Sequence, residues 1–239
     1  MPSSRPGSRR TRLLAAAVVL ACLGGLTLAI DLDVARWCKV GHIPREIMRF
    51  LNFSEVFAHG IGVATILLAA GVLDPSLAGR RAMPRLRGLP ISMNFISLDF
   101  VRMAVTAFAG GILANVVKET LVDRVRPRAA DLTAAASVLA TFGDSLAAQI
   151  ISHSDANSFP SGHAATAAGL AAALTWKYPR GTWLFVALAA AAAAQRVASS
   201  AHYPSDVLFG AAVGLVGAAV VLGNAAAHLP SANAASRTD

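Results

Sequence analysis

The sequence predicts an all-α fold, a polytopic membrane bundle of about six helices with its active site at their extracytoplasmic ends. Three observations carry this. The composition is 55% hydrophobic and only 14% charged, too apolar for an ordinary soluble domain. Apolar runs of membrane length recur along the chain, and most arginines fall between them. At 239 residues the chain holds one such bundle but hardly a separate globular domain as well. A single domain is therefore expected over 13–227, between a basic leader at 1–12 and a short polar tail at 228–239.

The first element is the uninterrupted apolar run 13–30, preceded by Arg5, Arg9, Arg10 and Arg12. As a helix it is about 27 Å long, close to the hydrocarbon thickness of a bilayer. A secretory leader is the competing reading, because the charge distribution suits both, but no clean small-x-small cleavage site follows. Further spans are expected at 57–73, about 103–117, about 164–176, about 182–194 and 207–223. The fourth and fifth are short, which predicts helices that continue into flanking polar sequence or tilt less. The segment before Phe57 reads as an interface helix and the basic stretch 80–87 as a cytoplasmic anchor, with no chemistry assigned to either. Gly210 and Gly214 form a small-residue pair suited to close helix packing within the bundle.

Counting Lys and Arg on alternate sides favours an N-terminus inside, with Arg80, Arg81, Arg85, Arg87, Arg102, Lys177, Arg180 and Arg237 also inside. The end of span three, the start of span four and the junction of spans five and six then share the outer face. A five-span chain with a cleaved leader leaves them together too. The net charge of +8 raises nucleic acid as a partner. No basic recognition helix, zinc-finger spacing or aromatic-interleaved basic run supports that, so none is expected. Cys22 and Cys38 imply neither a disulfide framework nor a metal cluster.

Three polar clusters occupy that outer face: Lys118 with Arg126-Pro127; Ser158-Phe159-Pro160-Ser161-Gly162-His163; and Arg196 with His202 and Asp206. Cations beside two histidines and a carboxylate suit a site that holds a phosphoryl group, attacks it and protonates what leaves. In the middle cluster Pro160 fits a first helical position and Ser158 a cap, so that the backbone N–H groups at Ser161, Gly162 and His163 face an anion. Taken alone, the tetrapeptide 160–163 also suits a plain helix-capping turn. Asp206, four residues after His202, can fix the imidazole tautomer and leave one nitrogen free as nucleophile.

From Lys118 to Asp206 the chain resembles the type 2 phosphatidic acid phosphatase family, whose wider superfamily includes bacterial acid phosphatases and vanadium haloperoxidases. The resemblance rests on Pro160-Ser161-Gly162-His163 and on the spacing of Arg196, His202 and Asp206. It implies that His202 forms a phosphohistidine, Asp206 orients it, and His163 protonates the leaving oxygen. Lys118, Arg126, Ser161, Gly162 and Arg196 would hold the phosphate, with no metal or other cofactor. Two positions depart from the family pattern: Gln195 replaces a common serine, and seven residues rather than six separate Lys118 from Arg126. An eight-residue step on a continuous helix turns the side chain by about 80°. The helix is therefore expected to end or bend before Arg126, and Arg124 could share or replace its role.

Motifs at the outer ends of membrane helices suit a molecule whose tail stays in lipid while its phosphate reaches water. The expected partners are the bilayer and a lipid phosphate: phosphatidic acid, phosphatidylglycerol phosphate, undecaprenyl pyrophosphate or the lipid A class. The expected setting is a bacterial inner membrane with the site facing the periplasm or exterior. A lipid phosphotransferase would use the same site, a vanadium haloperoxidase a similar one without long apolar spans, and a non-catalytic lipid-binding protein could retain the cradle. Residues 128–157 form a connector long enough to cover the site. Its His153 reads as a solvated loop residue.

Overall fold

The computed structural model describes residues 6–79, 95–120, 123–133, 135, 137–143 and 153–223. The expected anchor at 80–87, Arg5, Asp144, the His153 side chain and the tail 228–239 lie outside this description.

Helix α1 (Pro6–Thr27) continues through a 3-10 turn at Leu28–Ile30 into α2 (Asp31–Lys39). Helix α3 (Arg45–Ser54), a 3-10 turn at Glu55–Phe57 and α4 (Gly60–Leu73) follow, with a 64° bend between the two arms. Two residues, Ala78–Gly79 (β1), pair antiparallel with Phe95–Ile96 (β2). Then come α5 (Leu98–Thr120), the single turn α6 (His153–Ala156), α7 (Gly162–Lys177), α8 (Thr182–Ala198) and α9 (Pro204–Leu222). Among the described residues four helices are long and apolar enough to cross a membrane, or five if the bent pair counts as one span. Large apolar side chains such as Leu26, Ile61, Val72, Trp183 and Val220 point outward, as lipid-facing positions do. The protein is an integral membrane protein.

Helix α7 has 16 residues and forms the axis of the bundle. Every residue from Ala164 to Leu174 is buried, against α5, α8 and α9. Alanine and glycine make this possible, since small side chains let backbones approach closely where lipid supplies no hydrophobic drive. A Cβ on Gly210 would fall on the carbonyl of Ser161, and one on Gly214 on that of Ala165. The expected small-residue pair thus sets α9 against α7 inside the bundle. That approach brings the first turns of the two helices together, where Ser161 N donates to Asp206 O at 3.0 Å.

The expected extension of the short spans holds. Helix α7 runs through Lys177 and α8 through Arg196, while α5, the third span, ends at Thr120, just past Lys118. From Asp123 the chain is extended, with Arg124 bridging to Phe142 and Asn157. Extended backbone puts alternate residues on one face. Val125 accordingly packs with Ala35, Ala130, Leu132 and Tyr203, while Arg124 and Arg126 turn to the other side. Helix α2 pins this loop: Arg36 Nε donates to Leu132 O at 3.0 Å and Lys39 Nζ to Ala130 O at 2.9 Å.

Candidate active site

The three predicted clusters meet at one end of the bundle. Arg196, His202, His59 and Lys118 are close enough to His163 to act on it electrostatically, as Asp206, Arg126 and Lys118 are to His202. Within the third motif, His202 N donates to Arg196 O at 3.1 Å, which folds the end of α8 back over the start of α9.

His202 is only 2% exposed. Ser158 Oγ donates to Asp206 Oδ2 and lies 3.4 Å from His202 Nδ1, so its lone pair is placed to accept the Nδ1 proton. The same Asp206 oxygen is 3.7 Å from Nδ1. This arrangement keeps the proton on Nδ1 and leaves Nε2 unprotonated. Arg126 Nη1 approaches Nε2 at 3.4 Å, marking the side from which an anion would come. Burial pushes the imidazole down to about 4, with Arg126 and Lys118 acting in the same direction and Asp206 opposing. His202 is therefore neutral at neutral pH.

The two arginines of the first motif divide their work. Arg124 is fully buried: Nη2 donates to Asp31 Oδ2 at 2.7 Å, Nη1 to Ser205 Oγ at 2.8 Å and to Asp206 Oδ1, and Nε to Thr141 Oγ1 at 3.1 Å. Its two faces are covered by the rings of Tyr203, 3.9 Å away, and Phe142, 4.4 Å away. No face of the guanidinium is left for a ligand, so the expectation that Arg124 shares the phosphate role is corrected: its contacts are internal. Arg126 is half-buried and sits beside His202, with Nη1 also donating to Ala201 O at 3.2 Å.

In the middle cluster the structure moves the cap. Helix α7 starts at Gly162, and Ser161 is its N-cap, with Oγ accepting from Ala164 N at 3.3 Å. Pro160 follows a cis peptide bond and stands before the helix, not in its first turn, and Ser158 contacts Asp206 instead of capping. Ser161 N is engaged by Asp206 O. The N–H groups of Gly162 and His163 lie in the first turn of α7, where a helix offers no intrahelical acceptor. A Cβ on Gly162 would come within 2.9 Å of Asn115 Oδ1.

At the rim, Arg196 Nη2 pairs with Glu55 Oε1 at 3.0 Å and its Nε donates to Gln195 Oε1 at 2.7 Å. Gln195 Nε2 in turn donates to Asn52 Oδ1 at 3.1 Å. The departure at position 195 thus ties α8 to α3. His59, N-cap of α4, lies with its ring 6.1 Å from that of His163. Arg128 pairs with Asp155 at 2.6 Å farther out. Sequence reasoning missed Asp31, Asn52, Glu55 and His59. Asp31 opens α2 after a membrane-length run and is 0% exposed; an acid directly after a span was the one signal that could have marked it. Asn52, Glu55 and His59 sit in a segment that read as an interface helix.

Two curated relatives, both lipid A 1-phosphatases, are 36% identical in Rhizobium johnstonii and 34% identical in Rhizobium etli, each over 109 residues. Those alignments cover 46% of this chain but only 41% and 43% of the relatives, so the chain matches less than half of their length. A crystal structure of a transmembrane PAP2 type phosphatidylglycerolphosphate phosphatase from Bacillus subtilis superposes with a TM-score of 0.58. It covers 89% of this chain and 94% of that one at 17% identity, a likeness of fold. Residues 99–227, a stretch that contains all three motifs, match the PAP2 superfamily, and to that family the chain belongs.

Proposed function

We propose that the protein is an integral membrane phosphatase that hydrolyses a lipid phosphate monoester or pyrophosphate through a phosphohistidine on His202. The observation that carries this reading is the unprotonated Nε2 of a buried His202, turned toward Arg126 Nη1 at 3.4 Å. Lys118, Arg126, Arg196 and the N–H groups of Gly162 and His163 surround the phosphate oxygens. His202 Nε2 attacks phosphorus, its Nδ1 proton staying with the Ser158–Asp206 pair, which stabilises the positive imidazole that forms. The bond from phosphorus to the leaving oxygen breaks as His163, protonated when the phosphate anion fills the cation-lined site, gives that oxygen its proton. Neutral His163 then takes a proton from water, which attacks the phosphohistidine and returns His202 and inorganic phosphate. The phosphate charge is met by side-chain cations, while Asp206 is committed to Arg124, Ser158 and Tyr203 N, so the reading invokes no metal.

The reading includes six spans, counting α7, with the site on the outer face, as the distribution of Lys and Arg supports. The names of the relatives support lipid A or phosphatidylglycerol phosphate as substrate classes. Purified full-length protein should release phosphate from one or more of phosphatidic acid, phosphatidylglycerol phosphate, lipid A 1-phosphate and undecaprenyl pyrophosphate with a chelator present. His202→Ala should lower that release by at least about a thousandfold, as loss of a nucleophile does. An unchanged rate in that variant would end the mechanism.

A further inference from the structure

The bend between α3 and α4 reaches the motif residues three times. Asn52 meets Gln195, Glu55 meets Arg196, and His59 meets His163. Breaking a helix within a membrane protein exposes backbone groups that lipid cannot satisfy. The turn closes them locally, Ala58 N and His59 N both donating to Glu55 O at 2.9 Å. What the break delivers is a polar wall at the mouth of the site. None of its three residues belongs to the phosphate cradle.

The position of the wall follows from its contacts. The His59 ring lies 6.1 Å from that of His163, the residue that meets the leaving oxygen, and Glu55 is held at the same rim by its pairing with Arg196 at 3.0 Å. In an in-line displacement the leaving oxygen departs opposite the attacking nitrogen and within reach of the proton donor. The rest of the leaving group then extends past His163, into the space bordered by His59 and Glu55.

The side chains there specify a chemistry. His59 is exposed, and the Glu55 side chain is 35% exposed with one oxygen already on Arg196. An imidazole beside a carboxylate offers both donor and acceptor, the complement of hydroxyl groups. A second phosphate bonded directly at the leaving oxygen, as in a pyrophosphate, would instead meet the Glu55 charge at close range. We propose that the α3–α4 break forms a leaving-group subsite for a hydroxylated lipid headgroup, a glycerol or a sugar, with His59 as its specificity-determining residue. This rests on the phosphatase reading above.

The test compares phosphatidylglycerol phosphate with phosphatidic acid of the same acyl chains; beside the reacting phosphate the first leaving group presents a glycerol with a free hydroxyl, joined to the lipid through a phosphodiester farther out, and the second presents diacylglycerol directly. In full-length His59→Ala the ratio of kcat/KM between the two lipids should fall about fivefold, the scale of one neutral hydrogen bond. The change should sit mainly in KM, and His59→Gln should restore most of the ratio. An equal loss on both lipids, no loss on either, or a wild-type protein that turns over only a pyrophosphate lipid would overturn the subsite. Failure of the parent reading looks different: the wild type would release phosphate from none of these lipids, and His202→Ala would match it.

Discussion

Arg124 and Arg126, two residues apart on one extended strand, show how the floor and the rim of the site use the same side chain to opposite ends. At the floor Arg124 lies between Asp31 and Asp206 with every group 0% exposed, and its donors are consumed internally. At the rim Lys118, Arg126 and Arg196 gather around His163 and His202, with Glu55 as the carboxylate paired among them. The floor thus sets one arginine between two buried carboxylates, and the rim gathers cations around the two histidines. Charge that is matched within the protein builds the scaffold, and cations grouped at an open rim suit an anionic ligand.

This contrast can be broken by substitution. Arg124→Ala leaves Asp31 and Asp206 buried without their cation, and removing one partner of a buried pair costs about 3 to 5 kcal/mol. A large fall in the thermal midpoint of the detergent-solubilised protein is the expected result. Adding Asp31→Asn to Arg124→Ala should recover part of it, because one orphaned charge disappears. Equal midpoints for Arg124→Ala and the wild type would show that the floor is no scaffold.

Arg126→Ala should do the reverse. Its guanidinium is half-buried and faces the open side of His202, so the midpoint should move little. Activity should fall by about 10² to 10³, the cost of losing one preorganised donor to a developing charge. Phosphate-release rates and melting curves on the same two preparations separate the arginines. If both variants lost stability equally, or both kept activity, the distinction between floor and rim would fail.

Which parts were legible in the sequence follows the same division. The motif residues of the rim could be read because spacing between polar residues in apolar sequence survives without coordinates. The end of α5 before Arg126 was readable from helix periodicity. The floor was not. Arg124 and Asp31 are separated by more than ninety residues, and nothing local in either segment says which of two nearby arginines turns inward. Ser158 was read as a helix cap because serine before a helix usually caps; Ser161 is closer to the first turn and does so instead. The α3–α4 bend escaped because the exposed apolar residues of α3, Phe50 and Phe53, are what an interface helix would also show.

The smallest expected effect concerns the imidazole where floor and rim meet. His202 is held at about 4 in the folded protein by burial, with Arg126 and Lys118 adding to the depression, against roughly 6.5 when unfolded. Between those values the unfolded chain binds a proton that the folded chain does not. Stability carried by this residue is therefore complete above about 6.5 and is lost as pH falls toward 4. Nucleophilicity follows the folded value, so Nε2 stays available down to about pH 5. Nitrogen-15 spectra of histidine-labelled protein, with the His202 signal assigned by its loss in His202→Gln, should show a neutral ring at pH 5.5. In Arg126→Ala the midpoint should rise, because a cation that opposed protonation has gone. In Asp206→Asn it should fall further, because the carboxylate that favoured protonation has gone. Shifts of opposite sign from the two neighbours would place His202 between an acidic floor and a basic rim; shifts of the same sign would mean that burial alone governs it and that the two regions do not divide at this ring.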